Sequence, residues 1–382
     1  MASSEARVSG EGSVDVGVER GEAAAAAAQG IMERIRSEDV ECRIQAAREI
    51  RRLTKTSSKH RRQLSGAVEP LISMLMSGDP ESGETAILAL LNLAVKDERN
   101  KIKIVDAGAL EPLIGFLQST NLSLQEYATA AVLTLSASSL NKPTISAAGA
   151  IPLLVKILRD GNPQAKIDAV MALYNLSTIP VNLGTLLSVR SIASLINLLK
   201  SCKKSSKTAE KCSALLESLV TFDEGRTALT AEEGGVLTLV EVLEEGSPQS
   251  REHAVGALLK MCESDRCRYR EVILGEGVIP GLLELSVQGT PKSQSKARAL
   301  LQLLRNSPYS RSELQADTLE NIVSNIASEI DGDDCTGKAK KMLAEMVQVS
   351  REQSWRHLQR RASMRAPTGL SLGNCPSEVP SK

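Results

Sequence analysis

Three decapeptides decide the fold: GAVEPLISML (66–75), GALEPLIGFL (108–117) and GAIPLLVKIL (149–158). The phrase returns in weaker form as RSIASLINLL (190–199), GGVLTLVEVL (234–243) and GVIPGLLELS (277–286). Successive copies start 42, 41, 41, 44 and 43 residues apart. Such a period marks stacked units, none of which buries its apolar face alone. The third residue of each copy is Val68, Leu110, Ile151, Ile192, Val236 or Ile279. The sixth is Leu71, Leu113, Leu154, Leu195, Leu239 or Leu282, and the seventh is always Ile, Val or Leu. That spacing lies on one face of a helix.

A second phrase follows each copy: AILALLNL (86–93), ATAAVLTL (128–135), AVMALYNL (169–176), CSALLESL (212–219), AVGALLKM (254–261) and KARALLQL (296–303). Its small first and fourth residues let helices approach closely. An earlier copy, AAREIRRL (46–53), precedes them all. A short amphipathic stretch, such as DERNKIKIVDA (97–107) or SLNKPTISAA (139–148), leads into the next Gly. Each unit therefore reads as one short and two long helices. The Gly suits a left-handed C-cap, where a Cβ would clash. Pro70, Pro112, Pro152 and Pro280 fall in the first turn of the next helix, where a missing N–H costs nothing. Arg190 stands where the other copies have Gly, and the long basic loop SCKKSSKTAEK (201–211) follows, so the fourth unit is expected to be locally distorted.

Working outward, the 382 residues are 42% hydrophobic but only 2% aromatic, with one Trp, so the core must be Leu, Ile, Val and Ala in thin helical layers. Lys and Arg number 46, equal to Asp and Glu, and this balance disfavours nucleic acid as a partner. Seven Cys include no C-x-x-C pair; Cys262 and Cys267 lie near His253 without a second pair, so no metal is expected and free thiols in a reducing compartment are. No stretch approaches the ~20 apolar residues of a membrane span. Residues 1–22 carry five acids, which argues against a secretory leader and for a cytoplasmic or nuclear protein. Neither a phosphate-binding Gly loop nor a G-x-S-x-G or HExxH motif occurs, so no enzyme, cofactor or small-molecule substrate is expected. His60, His253 and His357 read as surface residues.

Residues 1–29 lack apolar patterning and are expected to be disordered. Residues 30–65 form an N-terminal capping unit with Arg43, Arg48, Arg51, Arg52, Arg61 and Arg62 on its exposed side. Six repeats fill 66–306. Residues 307–365 hold two helices, expected to cap the last unit, and 366–382 form a disordered tail. Arg360 and Arg361 precede Ser363 at the spacing a basophilic kinase reads, making Ser363 a candidate phosphosite.

A unit of ~42 residues opening G-A-[VLI]-x-P-L-[IV] and closing A-L-x-N-L resembles the armadillo repeat. HEAT repeats lack the short helix and this Gly. The resemblance implies an all-α, right-handed α-solenoid whose third helices line a concave groove. The phrase ETAILALLNLAVKDERNKIKIVDAGALEPLIGFL (84–117) and the closing SWRHLQRRAS (354–363) resemble the armadillo region of plant U-box ubiquitin ligases. No segment of the sequence reads as a U-box, so an armadillo-only relative is expected.

In the family's nuclear-import receptors, an Asn on each third helix bonds the backbone of an extended peptide, and a Trp four residues earlier walls a pocket. Here the Asn positions read Arg52, Asn92, Thr134, Asn175, Ser218, Lys260 and Gln302, and the Trp positions hold no Trp. An import receptor is disfavoured. Glu84, Glu126, Glu210 and Glu252 lie eight residues before the Asn positions. They read as first-turn acids facing the helix dipole or, alternatively, as an acidic strip for a basic partner. The expected function is a monomeric, non-catalytic scaffold binding an extended peptide or helix of another protein, such as a kinase domain or regulatory factor, in signalling. The alternative is a substrate-binding component of ubiquitination acting with a separate ligase.

Overall fold

The computed structural model describes residues 26–305, all helix, turn and short connections. The expected C-terminal capping helices, Ser363 and the chain's Trp355 lie outside the described residues. The first layer is α1 (26–34) and α2 (Val40–Thr54). Six three-helix units follow. The first is α3 (Ser58–Gln63), α4 (Val68–Leu75) and α5 (Pro80–Ala94); the second is α6 (Glu98–Asp106), α7 (Leu110–Leu117) and α8 (Leu122–Ser136). The third is α9 (Lys142–Ala147), α10 (Ala150–Asp160) and α11 (Pro163–Ser177). The fourth is α12 (Val181–Ser188), α13 (Ser191–Ser201) and α14 (Lys207–Leu219). The fifth is α15 (Asp223–Ala231), α16 (Gly235–Glu245) and α17 (Pro248–Ser264), and the sixth is α18 (Arg266–Gly275), α19 (Ile279–Gln288) and α20 (Pro291–Arg305).

Every third helix starts on a side-chain cap. Asp39, Asp79, Asn121, Asn162, Ser206, Ser247 and Thr290 each accept a backbone N–H two or three residues on. Pro80, Pro163, Pro248 and Pro291 directly follow four of these caps. The small residues of the second phrase are fully buried, as at Ala86, Ala89, Ala169, Ala172, Ala254 and Ala257, so the third helices touch closely. One continuous core runs from Ile31 to Leu304.

The left-handed cap appears at Gly108, Gly149, Gly234 and Gly277. Gly66 differs: it lies inside the 3-10 turn Leu64–Ala67 that joins α3 directly to α4. Arg190 does not distort its unit. It takes the same left-handed conformation (φ 54°), and α13 runs 11 residues like α10 and α16. The departure is confined to α14, which is two residues shorter than α11. A side chain in that conformation costs roughly 1–2 kcal/mol, part of which the stiffer unfolded chain returns. Arg190→Gly is therefore expected to raise stability, by about 0.5 kcal/mol, as an upward shift in the denaturant midpoint.

The long basic loop is anchored rather than solvated. Lys204 is buried, donates to the Leu199 carbonyl at 2.6 Å and stands 3.3 Å from the Glu241 carboxylate of α16. Arg61 likewise departs from the expected exposed face: it is buried and donates to the carbonyls of Asn92 and Lys55. Among the described residues no single helix is long and apolar enough to cross a membrane.

Candidate protein-binding groove

Consecutive third helices, α2, α5, α8, α11, α14, α17 and α20, pack along their length, whereas consecutive second helices touch over short stretches. The layers close on the third-helix side and fan open on the other, so the third helices form the concave face.

The Asn positions point along this face but are used between layers. Asn92 donates to the Arg51 carbonyl at 2.8 Å, Asn175 to the Ser136 hydroxyl at 3.1 Å, and Lys260 to the Glu217 carbonyl at 2.9 Å. Thr134 and Ser218 donate back to Ala130 and Ala214 of their own helices. Arg52 is exposed beside Glu49. The last position is corrected by the structure. From each cap, the groove residue is thirteen on at Arg52, Asn92, Thr134, Asn175 and Lys260, and twelve on at Ser218. Counted from Thr290, thirteen on is Leu303, half-buried, while Gln302 is exposed. A second register mark agrees. Gln125, Arg251 and Gln294 each stand four residues past their cap and donate to carbonyls ending the helix before. The Leu- and Ala-rich phrase of α20 fits two registers one residue apart.

The acidic positions also change meaning. Only Glu210 lies in a first turn. Glu126 and Glu252 reach forward, accepting from Asn162 at 2.7 Å and Thr290 at 2.9 Å, the caps of the next third helices. Glu210 pairs with Lys211 at 3.1 Å, and Glu84 makes no ion pair among the described residues. Asp168, which the spacing had not singled out, joins this edge. Burial raises its carboxyl above the ordinary range; the hydrogen bond from Gln164 opposes this, and the neighbouring Glu126 charge adds to it. Between α2 and α5 the groove opens into a cleft of about 420 Å³ lined by Arg48, Arg51, Glu81, Glu84, Thr85 and Leu88.

At its other end the groove carries an ionic bridge over three layers. Glu217 of α14 meets His253 Nδ1 of α17 at 2.6 Å and Lys296 Nζ of α20 at 2.8 Å. The bridge crosses Gly256, at a Trp position, where a Cβ would stand 1.9 Å from Glu217 Oε1. His253 is thus tied into the groove wall rather than free on the surface. Burial pushes the Glu217 carboxyl up, but hydrogen bonds from His253 and Lys296, with their charges, outweigh it and hold it below the ordinary range. A carboxyl lowered in the fold stabilises above the unfolded pKa, and that contribution is lost as pH falls through the folded one. The stability difference between the native chain and Glu217→Gln is therefore expected to be largest at neutral pH and to vanish in acid. Denaturant midpoints of both proteins across pH check this.

Among the described residues no group of His, Cys, Asp or Glu could hold a metal ion. Cys212 and Cys262 are buried with thiols pushed up by burial, while Cys267 is exposed.

The geometry defines an armadillo-type α-solenoid. Two solved structures share it: an engineered protein (TM-score 0.63, 24% identity, covering 73% of this chain and 68% of that one) and a structure from work on the cadherin–β-catenin interaction and its phosphorylation switch (TM-score 0.64, 18% identity, 78% and 60%). The family model for the plant U-box protein ARM repeat region matches residues 28–324, and the chain belongs to that family. Relatives include U-box domain-containing protein 45 of Arabidopsis thaliana, 38% identical over 25% of this chain and 12% of its own length. U-box domain-containing protein 9 of the same plant is 33% identical over 72% of this chain and 60% of its own length. The chain thus spans less than two thirds of these relatives.

Proposed function

We propose that this chain is a non-catalytic binding scaffold in intracellular signalling, holding a segment of another protein in its concave groove. The supporting observation is the unbroken row of seven third helices whose half-buried side chains line one face. Asn92, Asn175 and Lys260 are poor test positions, because their bonds join layers and their loss would confuse binding with folding. Leu88 and Met171 are better, being half-buried on that face. The full chain and a Leu88→Lys, Met171→Lys variant serve as baits side by side. Partners lost from a variant that keeps its helicity and melting behaviour support the reading; identical partners at identical yield sink it.

A second reading, a substrate-binding component of ubiquitination acting with a separate ligase, is supported by identity to proteins named for their U-box. It expects co-recovery of ligase subunits and slower turnover of a partner when this chain is depleted. Stable partners with unchanged turnover exclude it.

A further inference from the structure

From the α2–α5 cleft to α11 the groove differs in chemistry from its α14–α20 end. Leu88 and Leu91 of α5, Leu133 of α8, and Met171 and Tyr174 of α11 are all half-buried third-helix side chains, an apolar strip crossing three layers. Glu84, Glu126 and Asp168 stand near the starts of the same three helices, and none makes an ion pair among the described residues. Burial raises the Asp168 carboxyl, and the neighbouring Glu126 charge adds to that.

Two further observations say what this surface accepts. An extended peptide needs groove side chains for its backbone, yet Asn92, Thr134, Asn175 and Ser218 all bond within the protein. A helix satisfies its own backbone and presents only side chains. The protein also shows a cation seated at the strip: Lys211 Nζ lies 4.0 Å from the centroid of the Tyr174 ring while pairing with Glu210. An ammonium on a ring face beside a carboxylate is favourable there.

We propose that the strip from α5 to α11 docks an amphipathic helix of a partner protein, apolar on one face and bearing Lys or Arg along the edge that meets Glu84, Glu126 and Asp168. Three layers ~10 Å apart span about 20 Å, roughly 14 residues of helix at 1.5 Å each. The proposal rests on the groove reading above and adds the form and charge of the occupant.

The test uses the full chain and three fluorescent synthetic 18-residue probes. One is a helix of Leu, Ala and Lys with Leu on one face and Lys along its edges. One carries Glu for every Lys. One has two central residues replaced by Pro, which forbids the helix. Anisotropy titrations are run at physiological salt against the native chain, Glu84→Lys and Glu126→Gln/Asp168→Asn. Among the described residues Glu84 has no ion-pair partner to lose, so its variant is expected to keep the fold, and melting curves check all three proteins. The Lys helix is expected to bind, with affinity about tenfold weaker for each charge variant and little binding by the Glu and Pro probes. Equal binding by the Pro probe overturns the helical occupant, and equal binding to the variants overturns its charge. Both results leave the groove reading standing, since that reading falls only if Leu88→Lys, Met171→Lys retains the native partners.

Discussion

Lys204→Met is expected to destabilise the fourth and fifth units by about 3–5 kcal/mol, because it withdraws the Lys204 cation from the buried Glu241 carboxylate. The side chains of Lys204 and Glu241 are 7% and 9% exposed. Their pair ties the α13–α14 loop to α16, and the Lys204 carbonyl accepts from Ser250 of α17 as well. Met matches the apolar stem of Lys but brings no charge, so the cost is electrostatic rather than steric. Replacing both partners, as in Lys204→Met with Glu241→Leu, is expected to recover most of the loss, since a buried ion pair exchanged for apolar groups is often neutral or better. Repeat arrays open locally. The measurement is therefore amide exchange of α13 to α17 rather than one melting temperature. A single variant whose exchange there matches the native chain would show that water reaches the pair and solvates it.

Lys204 also shows where the sequence stops being informative. The loop 201–211 carries four lysines among small polar residues, and its local chemistry reads as solvated. Only the layer formed by α16, some forty residues further on, supplies the acid that buries one of them. The period, by contrast, was legible because apolar spacing, Pro at helix starts and Gly at caps act within a few residues. At Arg190 the residue misled: Arg in place of Gly pointed to a distorted unit, yet the chain keeps the left-handed cap of the other copies. The groove was half legible. Its positions came from the repeat, yet Asn92, Asn175 and Lys260 proved to bond the neighbouring layer, a fact set by what lies forty residues away. In α20 the apolar phrase slid by one because Ala and Leu recur at both registers; the Thr290 cap and Gln294 fix it.

Asn141→Asp is expected to cost about 2–4 kcal/mol at neutral pH, since it removes two buried hydrogen bonds without changing side-chain volume. Asn100, Asn141 and Asn182 recur every 41 residues, all buried, near the start of a short helix. Each uses its amide to cover a carbonyl at the end of the preceding third helix: Asn100 on Leu93 at 3.0 Å, Asn141 on Leu135 at 3.2 Å, Asn182 on Leu176 at 2.8 Å. Each also donates backwards into the previous layer, to Arg61, Lys101 and Ser146 respectively. One amide thus closes a helix end that has no intrahelical donors left and pins two layers together. A carboxylate there would point oxygen at two carbonyls; a protonated one could donate once. The deficit of Asn141→Asp should therefore shrink as pH falls, whereas that of Asn141→Leu should not. The fifth unit supplies the internal comparison. Gly225 stands where the Asn would be, packed so closely that a Cβ would lie 2.1 Å from the Leu219 carbonyl oxygen. Gly225→Ala is expected to loosen that layer through backbone collision, with no pH dependence. Denaturant titrations of the three variants across pH separate the two mechanisms, and a pH-independent Asn141→Asp deficit would count against the amide's role as donor.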